Sequence, residues 1–239
     1  MHRVTEFEDA EALNRAAASF FVCESHAALE RSGNFCVVLS GGSSPHGLYE
    51  LLATDRFWRA VPWDRTHVFW ADERMVGPDH EWSNYGVARD LLLSRVPVPT
   101  ANIHRIPGEK GAHDAAQEYR RELVNLFGAG AMPQMDLVLM GVGADGHAAS
   151  LFPGCPALDS VESVEPVAAT NDMPEPAVDR VTMTLPCLNA ANTVLYLVSG
   201  ADKAATFKAV RDGNESLPAA RIRAQRTEWF VDRAALGRK

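Results

Sequence analysis

Apolar positions follow two rhythms along the 239-residue chain. Over residues 10–31, Leu13, Ala17, Phe20, Phe21 and Ala28 recur at helical spacing, and Gly33 stands where a left-handed cap would end the helix. Helical spacing returns over residues 46–53 (Leu48, Leu51, Leu52) and from an N-capping Ser83 through Leu93 (Tyr85, Ala88, Leu91, Leu92). It appears again over residues 112–127 (Tyr119, Leu123, Phe127) and after Lys203 through Val210.

Between these lie short apolar runs without strong alternation, 34–39 (NFCVVL), 66–71 (THVFWA) and 135–140, the pattern of strands covered on both faces. Residues 103–106, 181–185 and 193–198 read as further strands, and 228–231 could supply a last one at a sheet edge. Residues 161–179, with Pro166, Pro174 and Pro176 among several acids, read mostly as loop. Strands alternating with helices predict an α/β fold with a mostly parallel sheet flanked by helices. With no repeat and no Gly/Ser linker, a single domain over residues 1–239 is expected.

Composition narrows the class. An apolar content of 46% with 23% charged residues excludes disordered, collagen-like and coiled-coil chains. No run approaches the roughly 20 apolar residues that span a bilayer, and the first residues lack a signal-peptide apolar core, so a cytoplasmic location is expected. Cys23, Cys36, Cys155 and Cys187 show neither CxxC nor metal-type spacing and read as free thiols. A net charge of −8 argues against nucleic acid or an anionic membrane as main partner. An anionic small substrate would need a local basic site.

Ligands of open α/β sheets bind outside the carboxyl ends of the strands, and four strand exits carry candidate chemistry. The first, SGGSSP, offers Gly41, Gly42 and Ser43 ahead of a helix start, either as an anion seat or as a loop whose Ser44 caps the helix. The second, Asp72-Glu73-Arg74, is either a solvated turn or a placed cation whose Asp72 could orient an imidazole or hold Arg74. The third, GVGADGH, superficially matches GxGxxG, but Pro153 and Gly154 interrupt it early and it lies far from the first βα turn, which disfavours a dinucleotide site. Its His147, among small neighbours, is suited to activating water. The fourth, SGADK, ends in Lys203, a cation at a helix start or an ordinary exposed lysine. Arg180, before a strand and behind the Pro-rich stretch, could reach the same cleft. No GxSxG elbow is present for serine nucleophilic catalysis.

The blocks LSGGSSP, WADERMV followed by DHEWSNYG, MGVGADGHAASLFPG, RVTMTLPCLNAA and VSGADKAATFKAV resemble, in family order over residues 39–210, the 6-phosphogluconolactonases, which are related to the glucosamine-6-phosphate deaminases/isomerases. The resemblance implies a three-layer fold of the deaminase/ribose-5-phosphate-isomerase/CoA-transferase type and a step in the oxidative pentose phosphate pathway, with no required metal or organic cofactor. It implies His147 as general base, Arg74 and Lys203 as holders of the phosphorylated substrate, and Asp72 as the acid of the ADER block. The deaminase branch carries an acid a few residues after its DGH, where this chain has Leu151, Phe152 and Pro153.

The expected reaction is therefore hydrolysis of 6-phospho-D-glucono-1,5-lactone. The phosphate would sit on the amides of Gly41, Gly42 and Ser43 with Arg74, Lys203 and Arg180, and the backbone of Gly143, Asp145 and Gly146 would face the oxyanion. A sugar-phosphate isomerase/deaminase and a non-catalytic sugar-phosphate-binding regulator are the alternatives. The partner is a small molecule, and a monomer or small homo-oligomer is expected.

Overall fold

The structure, a computed structural model, describes residues 2–238; residues 1 and 239, the two ends of the expected unit, lie outside the described residues. The chain opens with a strand, β1 (His2–Phe7), that the apolar pattern does not announce. Asp9 then caps the long helix α1 (Ala10–Ser32) by accepting the Ala12 N–H at 2.8 Å. Gly33, at φ 78°, ends the helix by donating to Leu29 O, as its position in the sequence suggests. The apolar face of α1 is buried, with Phe21 meeting Phe35 edge-on at 5.3 Å.

β2 (Phe35–Leu39) is followed by α2 (His46–Leu52) and α3 (Asp55–Trp58), then by β3 (Thr66–Trp70), β4 (Asp72–Arg74) and α4 (Asn84–Ala88). The apolar stripe of α4 continues through a π-helical segment, Arg89–Leu93. α5 (Ala112–Phe127) leads to β5 (Leu137–Met140), β6 (Val164–Val167), β7 (Arg180–Met183) and α6 (Leu185–Asn189). The chain closes with β8 (Thr193–Val198), α7 (Ala204–Arg211), α8 (Pro218–Arg221) and β9 (Arg226–Asp232).

Six strands form one sheet in the order β1-β9-β8-β5-β2-β3, and every pairing in it is parallel. Because β2 runs on outward to β3 while β5 runs the other way to β8 and β9, the strand order reverses between β2 and β5. That switch point opens a crevice at the carboxyl ends of the strands. SGGSS leaves β2 on one side of it and GVGADGH leaves β5 on the other. β8 lies next to β5, so Lys203 follows at the same end. The buried runs at β2, β5 and β8 match strands covered on both faces.

A second, antiparallel sheet, β4-β7-β6, carries Asp72, Arg74 and Arg180, and α5 packs on β6 and β7. Asp72-Glu73-Arg74 is thus a strand, with Arg74 directly opposite Arg180, and the solvated-turn alternative is excluded. β6, inside the expected loop, is an edge strand, where Pro166 costs no needed donor.

Other expectations shift. β9 lies inside the sheet, between β8 and β1, because β1 covers its outer edge. Of residues 103–106 only Ile103 pairs, through a bridge to Val68. Leu185 starts α6 and does not end a strand. Ser44 is no N-cap: Pro45 precedes α2 without a side-chain cap. Among the described residues no helix is long and apolar enough to cross a membrane.

Candidate active site

The crevice at the switch point is a cleft of about 410 Å³ lined by residues 40–44 and 141–145 with Asp72, Arg74, Asn84, His147, Ala149, Pro174, Arg180 and Lys203. All four strand exits singled out in the sequence therefore meet in one place, and Arg180 joins them.

The loop after β5 folds around its own histidine. Nδ1 of His147 lies 2.5 Å from Asp145 Oδ1, and the His147 N–H donates to the same oxygen at 3.1 Å. A carboxylate accepting from Nδ1–H leaves Nε2 as the basic nitrogen. Burial pushes the Asp145 carboxyl up, but its hydrogen bonds and charge pairing with His147 outweigh this and hold it below the usual carboxylate value. The partner of the imidazole is Asp145 and not Asp72.

A Cβ on Gly143 would stand 2.0 Å from His147 Nδ1 and 2.6 Å from Asp145 Oδ1, so only glycine lets the pair lie against the strand exit. Gly146, at φ 82°, is pressed by Leu217, and its carbonyl accepts the Ala219 N–H at 3.0 Å. Thr206 Oγ1 donates to Ala144 O at 2.7 Å. α7 and the start of α8 thus clamp the loop from behind. Ala149, at φ 51°, is a left-handed non-glycine between His147 and Ser150, the kind of local strain that a packed functional loop can hold.

Two expected oxyanion donors are already engaged. Gly143 N–H donates to His147 O at 2.9 Å and Gly146 N–H to Gly143 O at 3.0 Å. No long helix follows the loop, only a short 3₁₀ turn, Pro156–Asp159, which removes the dinucleotide alternative.

Across the cleft, β4 is built on a buried carboxylate. Glu73 accepts the N–H groups of Arg74, Asn84 and Tyr85, each at 2.8 Å, and the Ser83 hydroxyl at 3.0 Å. It fixes the first turn of α4 to the strand. Burial pushes its carboxyl up to about 6, against the opposing pull of the three N–H donors. Asp72 accepts the Ser150 hydroxyl at 2.6 Å and Asn84 Nδ2 at 3.3 Å, joining the small sheet to the histidine loop. Arg74 donates through Nη1 to Asn84 Oδ1 and, at 3.1 Å, to Trp82 O. Asn84 and Ser150 are buried residues that the motif reading missed as site members. Their only signal is that they stand inside the recognised blocks, in SNYG and HAAS.

Arg180 is buried, held by Pro174 O at 3.2 Å and Pro176 O at 2.9 Å, with its guanidinium 5.4 Å over the Phe152 ring. Burial lowers its pKa from the ordinary guanidinium value, and the Asp72 charge opposes that shift. The Nε atoms of Arg74 and Arg180 are buried without a protein acceptor. Lys203, in a 3₁₀ turn before α7, lies 3.4 Å from Asp202 and reaches the cleft. The N–H groups of Gly41, Gly42 and Ser43 donate to no protein acceptor among the described residues. α2 has only seven residues, so an anion here would rest on these amides and the three cations more than on a helix dipole. Among the described residues no group of three or more His, Cys, Asp or Glu is placed to hold a metal ion.

A family model for glucosamine-6-phosphate isomerases/6-phosphogluconolactonase matches residues 8–231. The chain belongs to this family. The chain is also 38% identical to a probable 6-phosphogluconolactonase 3, chloroplastic, of Oryza sativa subsp. indica, covering 96% of this chain and 74% of that one. It is 37% identical to the 6-phosphogluconolactonase of Rattus norvegicus over 97% of this chain and 91% of the relative. Among solved structures, the devB protein superposes with a TM-score of 0.88 at 33% identity, covering 99% of each chain. A monomeric glucosamine-6-phosphate deaminase shares the fold at a TM-score of 0.83 and 20% identity. This member of the family is an enzyme of the lactone-hydrolase kind, with a parallel six-stranded sheet flanked by helices.

Proposed function

We propose that the cleft hydrolyses 6-phospho-D-glucono-1,5-lactone to 6-phospho-D-gluconate, the lactone step of the oxidative pentose phosphate pathway. The observation that carries this reading is the His147–Asp145 pair, seated against Gly143 with Nε2 left for the substrate, in a cleft that also holds Arg74, Arg180 and Lys203.

The 6-phosphate sits on the amides of Gly41, Gly42 and Ser43 under the three cations, and C1 faces His147. Nε2 takes a proton from water as the water oxygen bonds to C1. The tetrahedral intermediate then collapses, the bond from C1 to the ring oxygen breaks, and Nε2–H returns the proton to that oxygen. The acid so formed loses its proton to solvent. With Gly143 and Gly146 engaged, the N–H groups of Ala144 and Asp145, residues that line the cleft and donate to no other residue's backbone among the described residues, are the donors of this loop left for the oxyanion. The scheme uses no metal and no organic cofactor.

Leu151 and Phe152 favour the hydrolase over the deaminase. They stand where an acid would be needed for proton transfer around an amino sugar, and the Phe152 ring lies 4.8 Å from the His147 ring. The test is turnover of freshly generated lactone, corrected for spontaneous hydrolysis, beside ammonia release from glucosamine 6-phosphate. The expected outcome is lactone turnover without ammonia. Ammonia release would replace the reading with the deaminase, and phosphate-sugar binding without either turnover would replace it with a regulator.

A further inference from the structure

Asn84 touches two of the four strand exits that line the cleft, the SGGSS loop at Gly41 and β4 at Asp72 and Arg74. Its Nδ2 donates to Asp72 O at 2.9 Å and to Asp72 Oδ1 at 3.3 Å, while its Oδ1 accepts from Arg74 Nη1. Its amide also fills the place of a side chain on Gly41: a Cβ there would lie 1.9 Å from Oδ1 and 2.6 Å from Nδ2. Gly41 is therefore glycine to admit Asn84, and the phosphate-seat loop, Asp72 and Arg74 are spaced from one another by a single buried amide. Asn84 is itself held, because Glu73 accepts its backbone N–H and that of Tyr85.

The consequence for Arg74 is directional. With Nη1 taken by Asn84 and Trp82, the Nε–Nη2 edge of the guanidinium has no protein acceptor, and Nε is buried. Two parallel N–H groups on one edge form the fork that grips an anionic oxygen pair. An arginine free to rotate would offer that edge only part of the time.

We propose that Asn84 is a positioning residue that aims the Nε–Nη2 edge of Arg74 at the substrate phosphate; this rests on the reading of the cleft as a phosphorylated-lactone site. Asn84 acts through Arg74, so the two substitutions should not act independently. The experiment is a double-mutant cycle of Asn84→Ala and Arg74→Ala. Its readouts are KM and kcat for the lactone, the dissociation constant of inorganic phosphate by calorimetry, and Tm.

Asn84→Ala is expected to raise KM and the phosphate dissociation constant about 10-fold while kcat stays within about 3-fold. In the Arg74→Ala background it should add less than about 2-fold. Effects that multiply across the cycle, or a fall in kcat with phosphate affinity unchanged, overturn the proposal. If Asn84→Ala melts below the assay temperature, Asn84→Ser carries the same cycle. Separate readouts distinguish the two failures: a wild type without lactone turnover defeats the functional reading, whereas additive losses of phosphate affinity by calorimetry defeat the role of Asn84.

Discussion

In the proposed hydrolysis His147 works only if one nitrogen is kept basic and aimed, and Asp145 is the carboxylate placed to do this. A carboxylate at 2.5 Å fixes the ring through Nδ1 and would stabilise the cation formed when Nε2 takes a proton in the proposed mechanism. Asp145→Asn removes that charge and permits the other tautomer. We expect kcat to fall about 100-fold or more with KM little changed, measured by steady-state kinetics on the lactone. A variant with wild-type kcat would remove Asp145 from the chemistry. At this scale the sequence showed His147, its glycines, Arg74 and Lys203, because each stands in a motif at a strand exit, whereas Arg180 was read only from its place before a strand. It did not show what Gly143 is for. The glycines read as a way to bring backbone donors to a carbonyl, whereas Gly143 is needed because the imidazole lies where its side chain would be. The choice of Asp145 over Asp72 was equally hidden, since both are acids in a motif and only folding brings one of them to Nδ1.

β4 and α4 show what a short element can carry. Glu73 is 2% exposed, and three charges in a row give no hint of such burial. Its carboxyl binds a proton more tightly folded, at about 6, than at its ordinary value of 4.5. A raised carboxyl pKa means that its contribution to stability is greatest below 4.5, shrinks as pH rises, and is lost above about 6. The shift corresponds to about 2 kcal/mol. The stability of the wild type minus that of Glu73→Gln, from urea unfolding, should therefore fall by about 2 kcal/mol between pH 4.5 and pH 7. A difference independent of pH would show that Glu73 does not titrate in this range.

Elements with a long apolar face or a doubly covered run, such as α1, α5, β2, β5 and β8, were legible because burial dictates their pattern. β1, β4 and β6 were not. Each is the outer strand of its sheet, so pairing with one neighbour defines it more than apolar rhythm does, and β6 even holds Pro166. The position of β9 depended on the unseen β1, which turned an apparent edge into an interior strand.

Across the whole molecule, a chain of net charge −8 gathers Arg74, Arg180 and Lys203 at one switch point, where the proposed phosphate would sit. Parallel strands place the SGGSS and GVGADGH loops on opposite banks of the crevice, and the small sheet brings Arg74 and Arg180 side by side. Phosphate and C1 are thereby held by different elements, which is what separates binding from chemistry in this account. The same separation is what single substitutions can read. The most direct measurement is kcat and KM of His147→Ala at pH 7 on freshly generated 6-phosphogluconolactone, corrected for spontaneous hydrolysis. The proposed mechanism predicts a loss in kcat of about 100-fold or more with KM within about 3-fold, because a base is removed and every phosphate contact remains. A variant that keeps kcat within about 3-fold of wild type would contradict it.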